Sequence, residues 1–510
     1  MPPSLWTFLL CMLTLCTTNA CMDVETLSGL SPVNWVWVGA LTSTSTRLRV
    51  SVTFVDPACD ATKLSLWVDQ DLESAPPLRF LSTMQSMSTT TDLHDFQATG
   101  LASGASIAYE FRYDNSIVLK RSNRSVRLPS PPGVPLSYTF AFSSCADEDS
   151  DPEVFDEIAS HDPLFFIHMG DLHYANLDVN DVAAFRGAYE SMFASPAGTA
   201  MLAMELPMAY MWDDHDFGPD NSDGTALGRP ASLQAYREYV PHYPLVRPDD
   251  PLDTIQQAFT IGRVRFLVTD LRSQRTPNDA PDIPSKTILG LDQKQWFKDQ
   301  LQAATTSEDV GLVVWVNTMP WIDDERKWGH FTHEQNDLVA FFATLDLTSI
   351  PLVIVSGDAH MLAVDDGSHS LGNITTFHAA ALGRPGSIKG GPYSHGAFPG
   401  SGQFGLLDVR DDGTRICVRY SGRRGATELL TYDTCEPSVP GTYTPYIPPS
   451  KPVRVVTRTL KKFLSRLDKK WQVVTRFYGW VAAMALVVGG IGGVVWWCGC
   501  HRSVGKPKHD

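Results

Sequence analysis

Five apolar runs in this 510-residue chain stop on residues that can bind a metal ion or move a proton. The run 138–142 leads to Ser144-Cys145-Ala146-Asp147, the run 165–169 to Gly170-Asp171-Leu172-His173-Tyr174, and the run 208–212 to Asp213-Asp214-His215-Asp216. The run ending at Val316 leads to Asn317, and the run ending at Ser356 to Gly357-Asp358-Ala359-His360. A single Asp after a strand is ordinarily a turn or cap residue, and a single buried Tyr is ordinarily packing. Five such ends together offer a thiolate, a phenolate, carboxylates, an amide and imidazoles. No Lys or Arg stands at those five tips, so carboxylates gathered there repel one another unless cations neutralise them. Metal ions meet that need, and hard oxygen donors mixed with sulfur and nitrogen argue for more than one ion.

For the five ends to meet, the runs must be neighbouring strands, because the carboxyl ends of strands line the ligand crevice of an open α/β sheet. From residue 138 the runs YTFAF, LFFIHM, LPMAYMW, VRFLVTD, GLVVWV and PLVIVS alternate with amphipathic segments at 152–160, 292–304 and 332–345, which predict helices with Asp151 and Asp292 as N-caps. Residues 138–436 are therefore expected to form an α/β domain, closing on a hairpin at SGQFGLLDVRDDGTRICVRY. Ahead of it, RLRVSVTF, KLSLWVD and IAYEFRYD alternate with period two. They predict a small all-β sandwich domain within 21–128, with PSPPGVP at 129–135 as a linker.

The chain is 43% hydrophobic, enough for a packed core, and its formal charge is −16. Nine Lys/Arg against the single acid Asp468 lie in 451–476, so the body is more acidic than the whole. That argues against a nucleic-acid partner except as a substrate. Both ends point to a membrane. An apolar stretch from 5 to 16, followed by Thr18-Asn19-Ala20, predicts a cleaved signal peptide at 1–20. Residues 477–498 carry no charge and are long enough to cross the hydrocarbon core, with aromatics at either end. A Pro-rich stalk at 437–453, a basic amphipathic juxtamembrane helix at 454–476 and a short tail at 499–510 complete the organisation. The basic helix is read either as a solvated segment or as one lying on anionic headgroups. Gly489-x-x-x-Gly493 offers a pairing face for a helix-mediated dimer. The expectation is a single-pass membrane protein of the secretory pathway with a lumenal or extracellular body. The sequons Asn123-Arg-Ser125 and Asn373-Ile-Thr375 are compatible with it.

Of nine cysteines, Cys11 and Cys16 fall in the signal segment and Cys498 and Cys500 at the inner membrane edge. Five remain, an odd number. Cys21 with Cys59, and Cys417 with Cys435, are the natural local pairs, which leaves Cys145 as the free thiol.

Taken in order, SSCAD, GDLHY, WDDHD, DLRSQR and SGDAH over 143–360 resemble the PhoD-like branch of the binuclear metallophosphatases. The likeness extends through RPGSIKGGPY to FGLLDV, and the N-terminal sandwich is similar to that family's, so it covers residues 30–420. The resemblance implies a metallophosphatase-type layered β-sandwich flanked by helices. It also implies roles. Asp171 bridges the metals and Tyr174 binds a ferric ion, as in the family's GDxxY. Cys145 supplies the thiolate, Asp147 a carboxylate, and Asp214 the ligand of the superfamily's GNH[DE], where His215 is the acid that protonates the leaving group. Asn317 occupies the VxxH position, and Asp358 with His360 the GHxH end. Arg272 and Arg275 either fork onto phosphate oxygens or pair with local acids such as Asp270. The implied cofactors are two or more metal ions, Fe3+ with Ca2+, the alternatives being the Zn2+ or Mn2+ of its relatives. A hydroxide bridging two cations would attack phosphorus in line. The implied function is a membrane-anchored metal-dependent phosphoric ester hydrolase, an alkaline phosphatase or phosphodiesterase. The rivals are a catalytically inactive cell-surface binding protein on the same scaffold, or a phospholipase or nuclease with the same site.

Overall fold

The short apolar runs become two sets of parallel strands stacked face to face. The structure is a computed structural model that describes residues 32–435 apart from 55–58, 72–75, 87–90 and 323–326. The expected signal peptide, stalk, basic helix, apolar span and tail lie outside the described residues. Among the described residues, no helix is long and apolar enough to cross a membrane.

The strands in chain order begin with β1 (Val33–Gly39), β2 (Ser45–Thr53), β3 (Leu64–Gln70), β4 (Leu78–Leu81), β5 (Thr83–Ser86), β6 (Thr91–Thr99), β7 (Ser106–Tyr113) and β8 (Ser116–Arg127). Next come β9 (Tyr138–Ser143), β10 (Phe166–His168), β11 (Met208–Tyr210), β12 (Gln257–Ile261), β13 (Val264–Val268), β14 (Leu312–Val316) and β15 (Leu352–Ser356). The last are β16 (Met361–Asp365), β17 (Thr375–Ala379), β18 (Ala397–Pro399), β19 (Gln403–Asp411), β20 (Ile416–Arg424) and β21 (Thr427–Asp433). The helices are α1 (Glu153–Ser160), α2 (Val182–Ala194), α3 (Pro196–Ala203), α4 (Asp214–Phe217), α5 (Arg229–Tyr239), α6 (Leu291–Thr305) and α7 (Thr332–Phe342).

In the first sheet β9, β10 and β11 run parallel, and in the second β13, β14, β15 and β17 do. Aromatic side chains knit the two layers. Phe140 meets Phe266 edge to face at 5.4 Å between ring centroids, and Phe165 meets Phe266 at 5.5 Å, a geometry that adds about 0.5–1.5 kcal/mol per pair beyond area burial. Behind the second sheet, Trp315, Trp321 and Trp328 pack on one another and on Phe342 of α7. The closing hairpin forms as expected, β19 pairing antiparallel with β20 and, on its other side, with β9.

The N-terminal region is a two-layered sandwich, but one of its layers is not its own. Sheet β4-β3-β7-β8 packs against β1, β2 and β6, with Phe96 on Phe111 at 5.4 Å. Strand β1 also pairs in parallel with β11, Gly39 opposite Met208, so the first sheet runs unbroken over ten strands from β21 to β5. A Cβ at Gly39 would lie 2.6 Å from Pro241 O and 2.8 Å from Met208 O, so this seam needs glycine. The described residues accordingly lie in one compact unit, and the boundary between 128 and 138 does not separate two bodies. The segment 129–135 is tied down too, Gly133 N–H donating to Gly262 O at 3.0 Å.

The expected helices form with shifted starts. Asp151 does accept the Glu153 N–H at 3.1 Å, but Pro152 holds the cap position. Asp292 lies inside the first turn of α6, paired with Arg247, while Gly290 with φ 75° precedes the helix. Helices α2, α3 and α5 went unread in the sequence, since Ala, Gly and Tyr dilute their periodicity.

Candidate metal centre

The centre forms where the carboxyl ends of the two parallel sets meet, and one glycine allows the closest approach. Gly170, after β10, has φ +86°, and a Cβ there would lie 2.3 Å from the Asp213 backbone nitrogen after β11. Four non-glycine residues at these ends also adopt positive φ: Cys145 (62°), Asp171 (53°), Asp358 (56°) and His360 (28°). Each such conformation costs on the order of 1 kcal/mol, and strain of this kind collects where function over-determines the backbone.

Asp171 is the hub. Its Oδ2 accepts the Tyr174 hydroxyl at 3.0 Å and the Cys145 thiol at 3.5 Å, and its Oδ1 accepts the His215 N–H at 3.3 Å. Three sets of ligand atoms lie within 4.8 Å of one another: Cys145, Asp171 and His360; Asp171, Asp214 and His215; and Asp213, Asp214 and Asp358. Burial, then the charges of Asp214 and its neighbours, pushes the Asp171 carboxyl well above the usual carboxylate range. Burial followed by Asp171 does the same to the Cys145 thiol and the Tyr174 phenol. Three acids are thus held toward protonation by a shared lack of positive charge, which a bound cation would supply.

Asp216 props the loops without joining the sets. Its carboxylate accepts backbone N–H groups from Asp171 (2.5 Å), Leu172 (2.7 Å), His173 (3.1 Å) and Asp213 (3.1 Å). It thereby ties the strand ends of β10 and β11 together. Burial raises its pKa to about 6 against those hydrogen bonds.

Of the residues marked in the sequence, Cys145, Asp171, Tyr174, Asp214, Asp358 and His360 come together here. Asn317 is fully buried at the end of β14, its Oδ1 accepting the Trp328 indole N–H at 3.1 Å. His215 stands beside the Tyr174 ring at 4.1 Å, Nδ1 2.7 Å from Asn176 Oδ1 and Nε2 3.7 Å from Asp220. Asp147 is held by Arg384 at 2.5 Å and by the Ser150 hydroxyl and belongs to none of the three sets. Arg272 meets Asp270 only through its backbone, its N–H donating to Asp270 Oδ1 at 3.0 Å, and its guanidinium goes elsewhere. Its Nε donates to Asp213 Oδ1 at 2.6 Å, with Asp214 3.5 Å from Nη2, while Asp270 accepts the Trp212 indole N–H. Arg275 feels the charges of Asp213, Asp214 and Asp358. It lies over the Phe331 ring at 4.7 Å, with its guanidinium donating to Met319 Sδ and Asn278 Oδ1.

The sequence reading missed three cations. Lys327 Nζ sits 2.7 Å from Asp358 Oδ2, Lys389 Nζ 3.3 Å from both Asp358 oxygens, and Arg384 4.2 Å over the Tyr174 ring. Lys389 and Arg384 lie in the quoted RPGSIKGGPY without an assigned role; nothing around Lys327 announced it.

The residues present fit a metal. The thiol, phenol, imidazole and carboxylate of Cys145, Tyr174, His360 and Asp171 suit a transition metal better than Mg2+. Free among the described cysteines is Cys145 alone, since Cys417 bonds Cys435 and Cys59 is disulfide-bonded.

Residues 140–384 match the PhoD-like phosphatase family. The matched segment contains Cys145, Asp171, Tyr174, Asp214, Asp358 and His360 and ends before Lys389. Alkaline phosphatase D of Bacillus subtilis (strain 168) is 22% identical over 299 residues, which cover 49% of this chain and 51% of that protein. The chain thus spans about half the length of the curated relative it matches. Among solved structures, PhoD superposes with a TM-score of 0.60 at 15% identity, covering 82% of this chain and 94% of that one. Purple acid phosphatase PPD1 of yellow lupin (Lupinus luteus) superposes with a TM-score of 0.54 at 11% identity, covering 80% and 75%. Both show the fold, a mixed α/β arrangement of sheets like that of PhoD and purple acid phosphatase.

Proposed function

We propose that this chain is a metal-dependent phosphoric ester hydrolase, a phosphomonoesterase or phosphodiesterase. The observation that carries the reading is the meeting of Cys145, Asp171 and His360 within 4.8 Å, with Tyr174 bonded to Asp171, in a segment that matches the PhoD-like family. A bound cation would polarise the phosphoryl group and acidify an attacking water. The family points to Fe3+ with Ca2+, and the thiolate and phenolate donors favour an oxidised iron over Zn2+ or Mn2+. His215, partly open to solvent and oriented by Asn176, delivers a proton to the departing alkoxide. Arg272 holds the Asp213 and Asp214 carboxylates in place. Hydrolysis of p-nitrophenyl phosphate and bis(p-nitrophenyl) phosphate by the full chain, with and without chelator, tests the reading. Metal-dependent turnover lost in Asp171→Asn supports it; turnover by neither substrate class under any metal, with the fold intact, leaves the inactive binding protein.

The same proposal places the enzyme on a membrane of the secretory pathway, by a C-terminal span and after signal cleavage, with the body outside the cytosol. The disulfide-bonded Cys417 and Cys435 support it, as does the exposed Asn373 of one sequon. The basic segment beside the span favours a membrane-proximal phosphoester. Protease added to intact vesicles should spare the body and remove only the tail.

A further inference from the structure

The two sides of the centre differ in how their negative charge is balanced. Around Cys145, Asp171, Tyr174 and His360 the cation in contact is Arg384, which lies over the Tyr174 ring and is already paired with Asp147, while Lys389 acts on Cys145 and His360 only through space. Around Asp213, Asp214 and Asp358 there are three cations for three carboxylates. Arg272 holds Asp213 at 2.6 Å and stands 3.5 Å from Asp214, while Lys327 and Lys389 lie 2.7 and 3.3 Å from Asp358. Arg272 and Lys327 are each 1% exposed. A cation so deeply buried persists only when its charge is used.

The donors point the same way. Lys327 meets one Asp358 oxygen and Lys389 both, with Lys389 also donating to the Asp358 carbonyl at 3.1 Å. At Asp358 the lone pairs that a metal ion would need are committed to ammonium protons; Asp213 Oδ2 and Asp214 Oδ1 have no hydrogen-bond partner among the described residues but belong to carboxylates that face the Arg272 guanidinium, so a divalent ion here would meet like charges.

We propose that the centre holds one resident metal ion, at Cys145, Asp171, Tyr174 and His360, and that the ammonium groups of Lys327 and Lys389 take the place of a second cation at Asp358. The inference rests on the metal-dependent reading above and narrows it from a pair of ions to one. The absence of Lys and Arg from the five strand tips argued for several metals; the chain instead brings its own cations in from two distant loops.

The test is metal stoichiometry, which does not depend on turnover. The full chain, purified in detergent and dialysed, is analysed for bound metal per chain, then titrated with Ca2+, Mn2+ and Zn2+ individually for wild type, Lys327→Met and Lys389→Met. The expected wild type keeps about one ion per chain and takes up no second. Removing either ammonium should tighten binding of a second divalent ion by at least about tenfold, as the freed Asp358 oxygens lose a like-charged neighbour. Wild type retaining two ions, or one ion with no gain in either variant, overturns the inference. A chain that binds no metal overturns the metal-dependent reading itself, a separate result. Lys389 is partly exposed, so its variant decides the question should Lys327→Met fail to fold, and the wild-type count needs no variant.

Discussion

Tyr174 donates its hydroxyl hydrogen to Asp171 Oδ2 at 3.0 Å, three residues back along the same loop. Cys145, from the neighbouring strand end, reaches the same oxygen at 3.5 Å. A phenol and a thiol converging on one carboxylate oxygen are two electron-rich donors poised around a single position. If that position holds Fe3+, the protein is coloured, because phenolate and thiolate transfer charge to an oxidised ion in the visible range. Tyr174→Phe and Cys145→Ser should each shift or bleach the band and lower iron per chain with little change in fold. Absorption spectra alongside iron analysis check this; a colourless, iron-free and fully active wild type discards the ferric assignment.

His215 supplies its proton only to leaving groups that need one. His215→Ala should therefore slow hydrolysis of alkyl phosphates by about 10²–10⁴-fold, and slow p-nitrophenyl phosphate far less, since nitrophenolate departs unprotonated. Comparing kcat for the two substrates separates proton delivery from general damage, which would depress both equally.

Asp216 accepts four backbone N–H groups from two strand ends. Asp216→Asn keeps the size but replaces one accepting oxygen with a donor and removes the charge. Hydrogen bonds to charged groups are worth about 1.5–3 kcal/mol each, so losing half of the set should destabilise the protein by about 3 kcal/mol. Chemical denaturation of wild type and variant measures it, and unchanged stability would show that the loops are held by other means.

His94 is fully buried, Nδ1 at 2.8 Å from the Ser82 hydroxyl, and burial lowers its pKa to about 4 from the ordinary 6.5. The unfolded chain therefore takes up the proton first as pH falls. The stability tied to neutral His94 is complete above pH 6.5 and drains away down to about pH 4, amounting to on the order of 3 kcal/mol. His168 and His378 are buried in the same sense, each lowered to about 3. Stability measured from pH 7 to pH 4 should fall, and His94→Asn should flatten part of that slope. Parallel slopes for the two proteins would mean that His94 is protonated in the fold.

The six residues Cys145, Asp171, Tyr174, Asp214, Asp358 and His360 were legible because each closes an apolar run, and parallel strands deliver their carboxyl ends to one crevice whatever the loops between them do. The free state of Cys145 was legible by counting. For Asp147 and Arg275 adjacency did not announce their contacts, since one step along a loop can turn a side chain to Arg384 or to Phe331. The strands themselves were likewise legible from period and length, which are local properties. The joining of β1 to β11 was not, because an edge strand carries no mark of its partner, and only the space at Gly39 admits that seam. Lys327 and Lys389 show the limit most sharply. They stand 31 residues before and after Asp358 in the sequence, in loops without periodicity, and their charges meet it only through tertiary folding. The sequence by itself determined which side chains could bind metal. How many metals they need was decided by the fold, because electrostatic balance depends on distance in space and not on position along the chain.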